Sequence, residues 1–138
     1  MTRTLAMIKP GAREHTEEIL QIVGAEFLII GQKVLQLTPL LAQEFYAEHQ
    51  GQPFFEGLWQ YMTSGPVTIM ALEHPDAVKA WRKLLGATNP SDAAPETIRY
   101  LFGRGNKLPN NVAHGSDSEA AAERELAFFF AGYELIRS

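Results

Sequence analysis

The chain has 138 residues, with 12 Lys and Arg against 16 Asp and Glu and no cysteine, which gives a formal charge of −4. That length suits one domain spanning residues 1–138, and a hydrophobic share of 46% against 20% charged excludes disorder as the resting state. The missing cysteine removes disulfide scaffolds, thiolate metal sites and thiol nucleophiles, and the acidic balance speaks against a general nucleic-acid surface.

The first eight residues run into Lys9 and Pro10 too soon for an export signal, and no apolar stretch approaches the roughly 20 residues that cross a bilayer. A cytoplasmic setting without membrane partners is therefore expected. Residues 4–8 are short, apolar and ended by Lys9-Pro10-Gly11, which predicts a buried strand. Residues 16–25 carry Ile19, Leu20, Ile22 and Val23 at helical spacing, with Glu17 and Glu18 in the first turn. The run 27–38 is rich in Ile, Val and Leu and closed by Pro39, so it predicts a long strand. Helices follow over 40–49 and 54–63, then a strand over 66–73.

A helix over 75–85 puts Val78, Trp81, Leu84 and Leu85 on one face and stops at Gly86. Residues 86–118 then turn polar and rich in Gly, Pro and Asn, with only 96–102 helical in pattern; so long a polar stretch is more often functional than idle. Ser116-Asp117-Ser118-Glu119 fits a capping box opening a helix over 119–130, with Ser116 as the cap. This order predicts an α+β fold, a ferredoxin-like β-α-β-β-α-β core whose antiparallel sheet is covered by helices. A small doubly wound sheet stays compatible with the order alone.

Gly103-Arg104-Gly105-Asn106-Lys107 lacks the spacing and the following hydroxyl of a P-loop, and its glycines do not follow a strand as a dinucleotide fingerprint requires. His15, His49, His74 and His114 are scattered without His-x-x-x-His spacing, so no protein-held metal is expected. His114 reads two ways. It is either an incidental loop histidine beside a capping serine, or an activated nucleophile facing phosphate at a helix N-terminus, with Glu125 further along to orient its ring.

Residues 111–118, Asn-Val-Ala-His-Gly-Ser-Asp-Ser, resemble the active-site signature of nucleoside diphosphate kinases. The likeness runs in order along nearly the whole chain. Met7-Ile8-Lys9-Pro10 is similar to that family's first strand and lysine, Phe45-Tyr46 with Pro53-Phe54-Phe55 to its nucleotide-binding helix pair, and Ser64-Gly65-Pro66-Val67 to its third strand. Trp81-Arg82-Lys83-Leu84-Leu85-Gly86-Ala87-Thr88-Asn89-Pro90 and Thr97-Ile98-Arg99 also fall in the family's order.

The resemblance implies that a nucleoside triphosphate gives its γ-phosphate to a nucleoside diphosphate by a ping-pong route through phospho-His114, with Glu125 and Ser116 positioning the imidazole. It implies that Lys9, Tyr46, Arg82, Thr88, Arg99 and Asn111 hold phosphates and sugar, and that the base stacks on Phe54. Mg²⁺ would bridge the phosphates, and a homo-oligomer is implied, with dimer, tetramer and hexamer all compatible. Such a site needs alignment and positive charge more than a carboxylate cage, and one aromatic face accepts any base.

Two departures from the family pattern stand out. Gly11 follows Lys9-Pro10 where the family commonly has Asp, and residues 100–110 form a slightly longer segment than usual. They raise the alternative of a catalytically weakened nucleotide-binding or scaffolding member; a protein-histidine phosphodonor, using the same His114 with a different acceptor, is a further alternative.

Overall fold

In the computed structural model, which describes residues 1–136, β1 (Thr2–Ile8) is buried without interruption from Thr4 to Ile8. Arg137 and Ser138, the end of the expected 1–138 domain, lie outside the described residues. Unbroken burial means that both faces of the strand are covered, and the pleat divides them. Leu5 and Met7 pack into one apolar cluster while Ala6 and Ile8 pack into another. The same alternation governs β3 (Val67–His74), where Ile69 and Ala71 face one way and Met70 and Leu72 the other.

These two strands pair antiparallel at the centre of a four-stranded sheet of order β2-β3-β1-β4. The edges are β2 (Leu28–Leu35) and the short β4 (Ala113–Gly115), both antiparallel to their neighbours. On one face lie α1 (Thr16–Glu26), α4 (Ala77–Leu85) and α5 (Ile98–Gly103), contributing Ile19, Val23, Trp81, Leu85 and Ile98. The other carries α2 (Pro39–Phe45), α3 (Phe55–Met62) and α6 (Glu119–Phe129), contributing Phe45, Leu58, Met62, Leu126 and Phe129. The expected ferredoxin-like core is thus present, and its second face is also roofed by helices.

Local chemistry sets the helix ends. Thr38 accepts the Leu41 amide at 3.1 Å with Pro39 at the first position of α2, and α4 stops at Gly86, whose φ of +89° suits glycine. The expected helix over 40–49 breaks at Tyr46 and resumes as a 3₁₀ turn, Ala47–His49. The second strand ends at Leu35, short of the expected 38. Ser116 does not cap α6. Ser118, with extended backbone, accepts the Ala121 amide at 3.0 Å, whereas Ser116 is fully buried and turned to Glu125. The sequence reading also missed β4, which lifts His114 out of the polar stretch and pairs it with Met7. Among the described residues no helix is long and apolar enough to cross a membrane.

Candidate active site

Where β1 ends and β4 begins, the main chain makes a tight turn. The Ala113 amide donates to the Asn111 carbonyl at 3.0 Å around Val112, whose φ is +76°. A β-branched residue in this three-residue turn is strained by about 1–3 kcal/mol and persists only where its surroundings over-determine it. They do so here. The Lys9 amide donates to the Val112 carbonyl at 2.8 Å, and the Arg99 guanidinium spans the turn, with Nε on the Asn111 carbonyl at 3.0 Å and Nη2 on the Ala113 carbonyl at 2.9 Å. Its Nη1 reaches the Gly86 carbonyl at 2.9 Å.

The next residue is His114. Its carbonyl accepts from Trp81 Nε1 at 3.0 Å, and its ring lies edge-on to Phe45 at 5.3 Å. Nε2 meets Glu125 Oε1 at 2.7 Å, and Ser116 Oγ donates to that same oxygen at 2.8 Å. Among the described residues nothing hydrogen-bonds to Nδ1. The other Glu125 oxygen has Arg124 Nη2 at 3.5 Å, which in turn lies 3.5 Å from Glu48.

Beside the ring opens a cleft of about 270 Å³. Lys9, Tyr46, Arg82, Thr88, Arg99, Asn111, His114 and Glu125 all line it, so eight of the residues expected from sequence converge on one space. Ser116 sits behind Glu125, fully buried. Phe54 does not line the cleft; it stands at 53% exposure, 5.2 Å from the His49 ring, which is part of the wall.

Lys9 Nζ donates to Asn111 Oδ1 at 2.6 Å and to the Pro109 carbonyl at 3.1 Å. Burial, followed by the neighbouring Arg99 charge, brings its amine down to about 7. Burial, then Arg82, brings Arg99 down to about 10, which leaves it charged at neutral pH. Asn111 gives both ends of its amide to the protein, since Nδ2 donates to the Thr88 carbonyl at 2.8 Å. Arg82 pairs with Asp117 at 2.6 Å across the exposed rim. The Tyr46 hydroxyl is buried without a hydrogen-bond partner, and burial with the Glu125 charge raises it well above the usual phenol range. Among the described residues no three His, Asp or Glu side chains gather as a metal cage.

Three guanidinium or ammonium groups and an unpartnered hydroxyl around a histidine make a receptor for a polyanion. The nucleoside diphosphate kinase family model matches residues 2–135. The chain belongs to the nucleoside diphosphate kinase family. It is 46% identical over 139 residues to the nucleoside diphosphate kinase of Syntrophotalea carbinolica, covering 99% of this chain and all of that one. That of Sorangium cellulosum is 43% identical over 141 residues, covering 100% and 96%. Among solved structures, the Aquifex aeolicus nucleoside diphosphate kinase superposes with a TM-score of 0.91 at 38% identity, covering 98% of this chain and 99% of that one. A halophilic nucleoside diphosphate kinase from Halobacterium salinarum, solved in complex with CDP, gives 0.88 at 40% identity, covering 99% and 91%.

As a nucleoside diphosphate kinase the chain is a nucleotide-binding phosphotransferase. Sequence reading had no signal for the strain at Val112 or for the Trp81 contact that fixes the His114 carbonyl. Trp81 reads as core from its helical position, and its indole N–H becomes informative only once β4 is placed.

Proposed function

We propose that the transferred phosphoryl group rests on His114 Nδ1. The observation that carries this is the 2.7 Å contact between Nε2 and Glu125, which holds a proton on that nitrogen and leaves the Nδ1 lone pair for the cleft. In the first half-reaction Nδ1 attacks the γ-phosphorus, the bond to the β–γ bridging oxygen breaks, and the nucleoside diphosphate leaves. In the second, a terminal β-phosphate oxygen of another diphosphate takes the phosphoryl group and Nδ1 recovers its lone pair. Glu125 stabilises the cationic ring in both directions, and Ser116 fixes that carboxylate.

Lys9, Arg82 and Arg99 neutralise phosphate oxygens, the Tyr46 hydroxyl donates to one, and Thr88 faces the sugar–phosphate end. Asn111 acts by aiming Lys9. Arg82 exchanges Asp117 for phosphate when nucleotide enters. The base stacks on the exposed ring of Phe54, outside the closed part of the cleft. A cluster of cations without a carboxylate cage fits Mg²⁺ carried in on the nucleotide, where the ion spreads the charge of the phosphates. The same reading takes residues 1–138 as one domain of a cytoplasmic homo-oligomer, whose size light scattering would give.

Incubation with γ-labelled ATP is expected to leave acid-labile, alkali-stable label on the protein, and His114→Ala to remove both label and transfer. Transfer persisting in that variant would overturn the mechanism.

A further inference from the structure

The two departures from the family pattern, Gly11 and the longer segment 100–110, meet at one side chain. The Tyr61 hydroxyl, on α3, accepts the Gly11 amide at 2.9 Å and donates to Asn110 Oδ1 at 2.7 Å. Space at the junction is closed. A Cβ placed on Gly11 would run into both Asn110 Oδ1 and the Tyr61 hydroxyl, so a side chain there would push these two groups out of the positions in which they bond.

Tyr61 lies outside the cleft lining, yet what it holds matters to the cleft. Both protein acceptors of Lys9 Nζ, the Pro109 carbonyl and Asn111 Oδ1, come from the residues flanking Asn110. Lys9 itself is two residues before Gly11, and its amide holds the Val112 carbonyl of the strained turn. One hydroxyl therefore ties the segment that carries the lysine to the segment that aims it. We propose that Tyr61 is a positioning residue for Lys9, and that Gly11 and Asn110 are the two halves of a latch closed by its hydroxyl. Burial raises the Tyr61 phenol above its ordinary value, which keeps the proton available for Asn110 across the working pH range.

The inference rests on the reading that Lys9 holds nucleotide phosphate, and a double-mutant cycle separates the two. Tyr61→Phe keeps the ring and removes the latch; it is expected to lower kcat/KM about tenfold, the usual effect of losing one or two partly buried hydrogen bonds near a charged group. Asn110→Ala should reproduce that loss and add less than about twofold to Tyr61→Phe. Introduced into Lys9→Met, Tyr61→Phe should likewise cost less than about twofold, because its target is gone; a general structural role would instead give additive losses.

Gly11→Ala should be costly in the natural chain and nearly neutral once both Tyr61→Phe and Asn110→Ala have emptied the junction. Melting curves of each variant confirm that a folded protein is being compared. Should Lys9→Met alone leave kcat/KM unchanged, the phosphate role of Lys9 falls and the latch with it. Should Lys9→Met be damaging while Tyr61→Phe is silent, or lose a further tenfold on the Lys9→Met background, the latch alone is overturned.

Discussion

His114 and Glu125 meet through Nε2 and Oε1 at 2.7 Å, and the carboxylate is 3% exposed, so the contact is shielded from competing water. A neutral amide at that position can bond to the ring without stabilising positive charge on it. Glu125→Gln is therefore expected to slow phosphorylation of His114 about a hundredfold with little change in nucleotide affinity, read by rapid-quench labelling. Ser116→Ala, which removes only the bond fixing Oε1, should cost about fivefold. Equal rates for Glu125→Gln and the natural chain would contradict the assignment.

Lys9 gives a pH signature. Its folded value of about 7 lies below the unfolded 10.5, so between those values the unfolded chain carries a proton that the folded chain has released. Stability of the nucleotide-free protein should rise as pH climbs through that window and be indifferent to this group below about 7. Bound phosphates reverse the preference by favouring the ammonium form. Mg-ADP binding should take up a proton above pH 7 and weaken with rising pH. Calorimetry in buffers of different ionisation heat reports the uptake, and Lys9→Arg should abolish that component.

Arg99 spends its guanidinium on three carbonyls, those of Gly86, Asn111 and Ala113. A lysine ammonium cannot reproduce that planar fork. Arg99→Lys should destabilise the fold by about 2–4 kcal/mol, since buried acceptors around a strained turn lose their donors. Thermal melting gives the first effect, and a fall in kcat larger than any rise in KM would show the turn relaxing beneath His114.

Trp81 tests the same support from the other side. Its indole is fully buried and donates to the His114 carbonyl at 3.0 Å. Trp81→Phe should cost about 1–3 kcal/mol from lost volume and an unmet carbonyl, and it should slow transfer although the residue is absent from the cleft wall.

Nucleotide should stabilise the native chain in proportion to the logarithm of its concentration over Kd, about 2.7 kcal/mol at a hundredfold excess. A melting temperature unmoved by saturating Mg-ADP would contradict the site.

Much of this was legible in the residues because the dominant elements obey simple periods. The central strands β1 and β3 are covered on both faces, so they appear as continuous apolar runs, and α4 shows its buried face at the expected spacing. What escaped notice is short or conformational. Strand β4 has three residues, one of them His114, too few to establish alternation. The capping-box pattern favours Ser116, but Ser118 also precedes the helix and caps it, because Ser116 is turned to Glu125. Nothing in the letters for Asn111-Val112-Ala113 announces a positive φ, which tertiary hydrogen bonds impose. The pairing of His114 with Glu125 was legible as one of two readings because the two are close in the chain, whereas Lys9, Tyr46, Arg82, Thr88 and Arg99 were legible only as a resemblance, since they come from segments far apart.

The cleft is walled in two different ways. On the side of His114 the wall is hydrogen-bonded main chain, pinned by Lys9, Arg99 and Trp81 at fixed angles. On the side of Tyr46 and His49 it is the hairpin of α2 and α3, seated through Ala42, Phe45, Leu58 and Met62. Apolar contact has little angular preference, but the C-terminal end of α3 is held by the Tyr61 hydroxyl to Gly11 and Asn110, so freedom to adjust is confined to the α2 end and the turn before α3. Discrimination should accordingly be strict in the number of phosphates and lenient in the size of the base, since the exposed Phe54 ring sets no outer limit on what stacks against it.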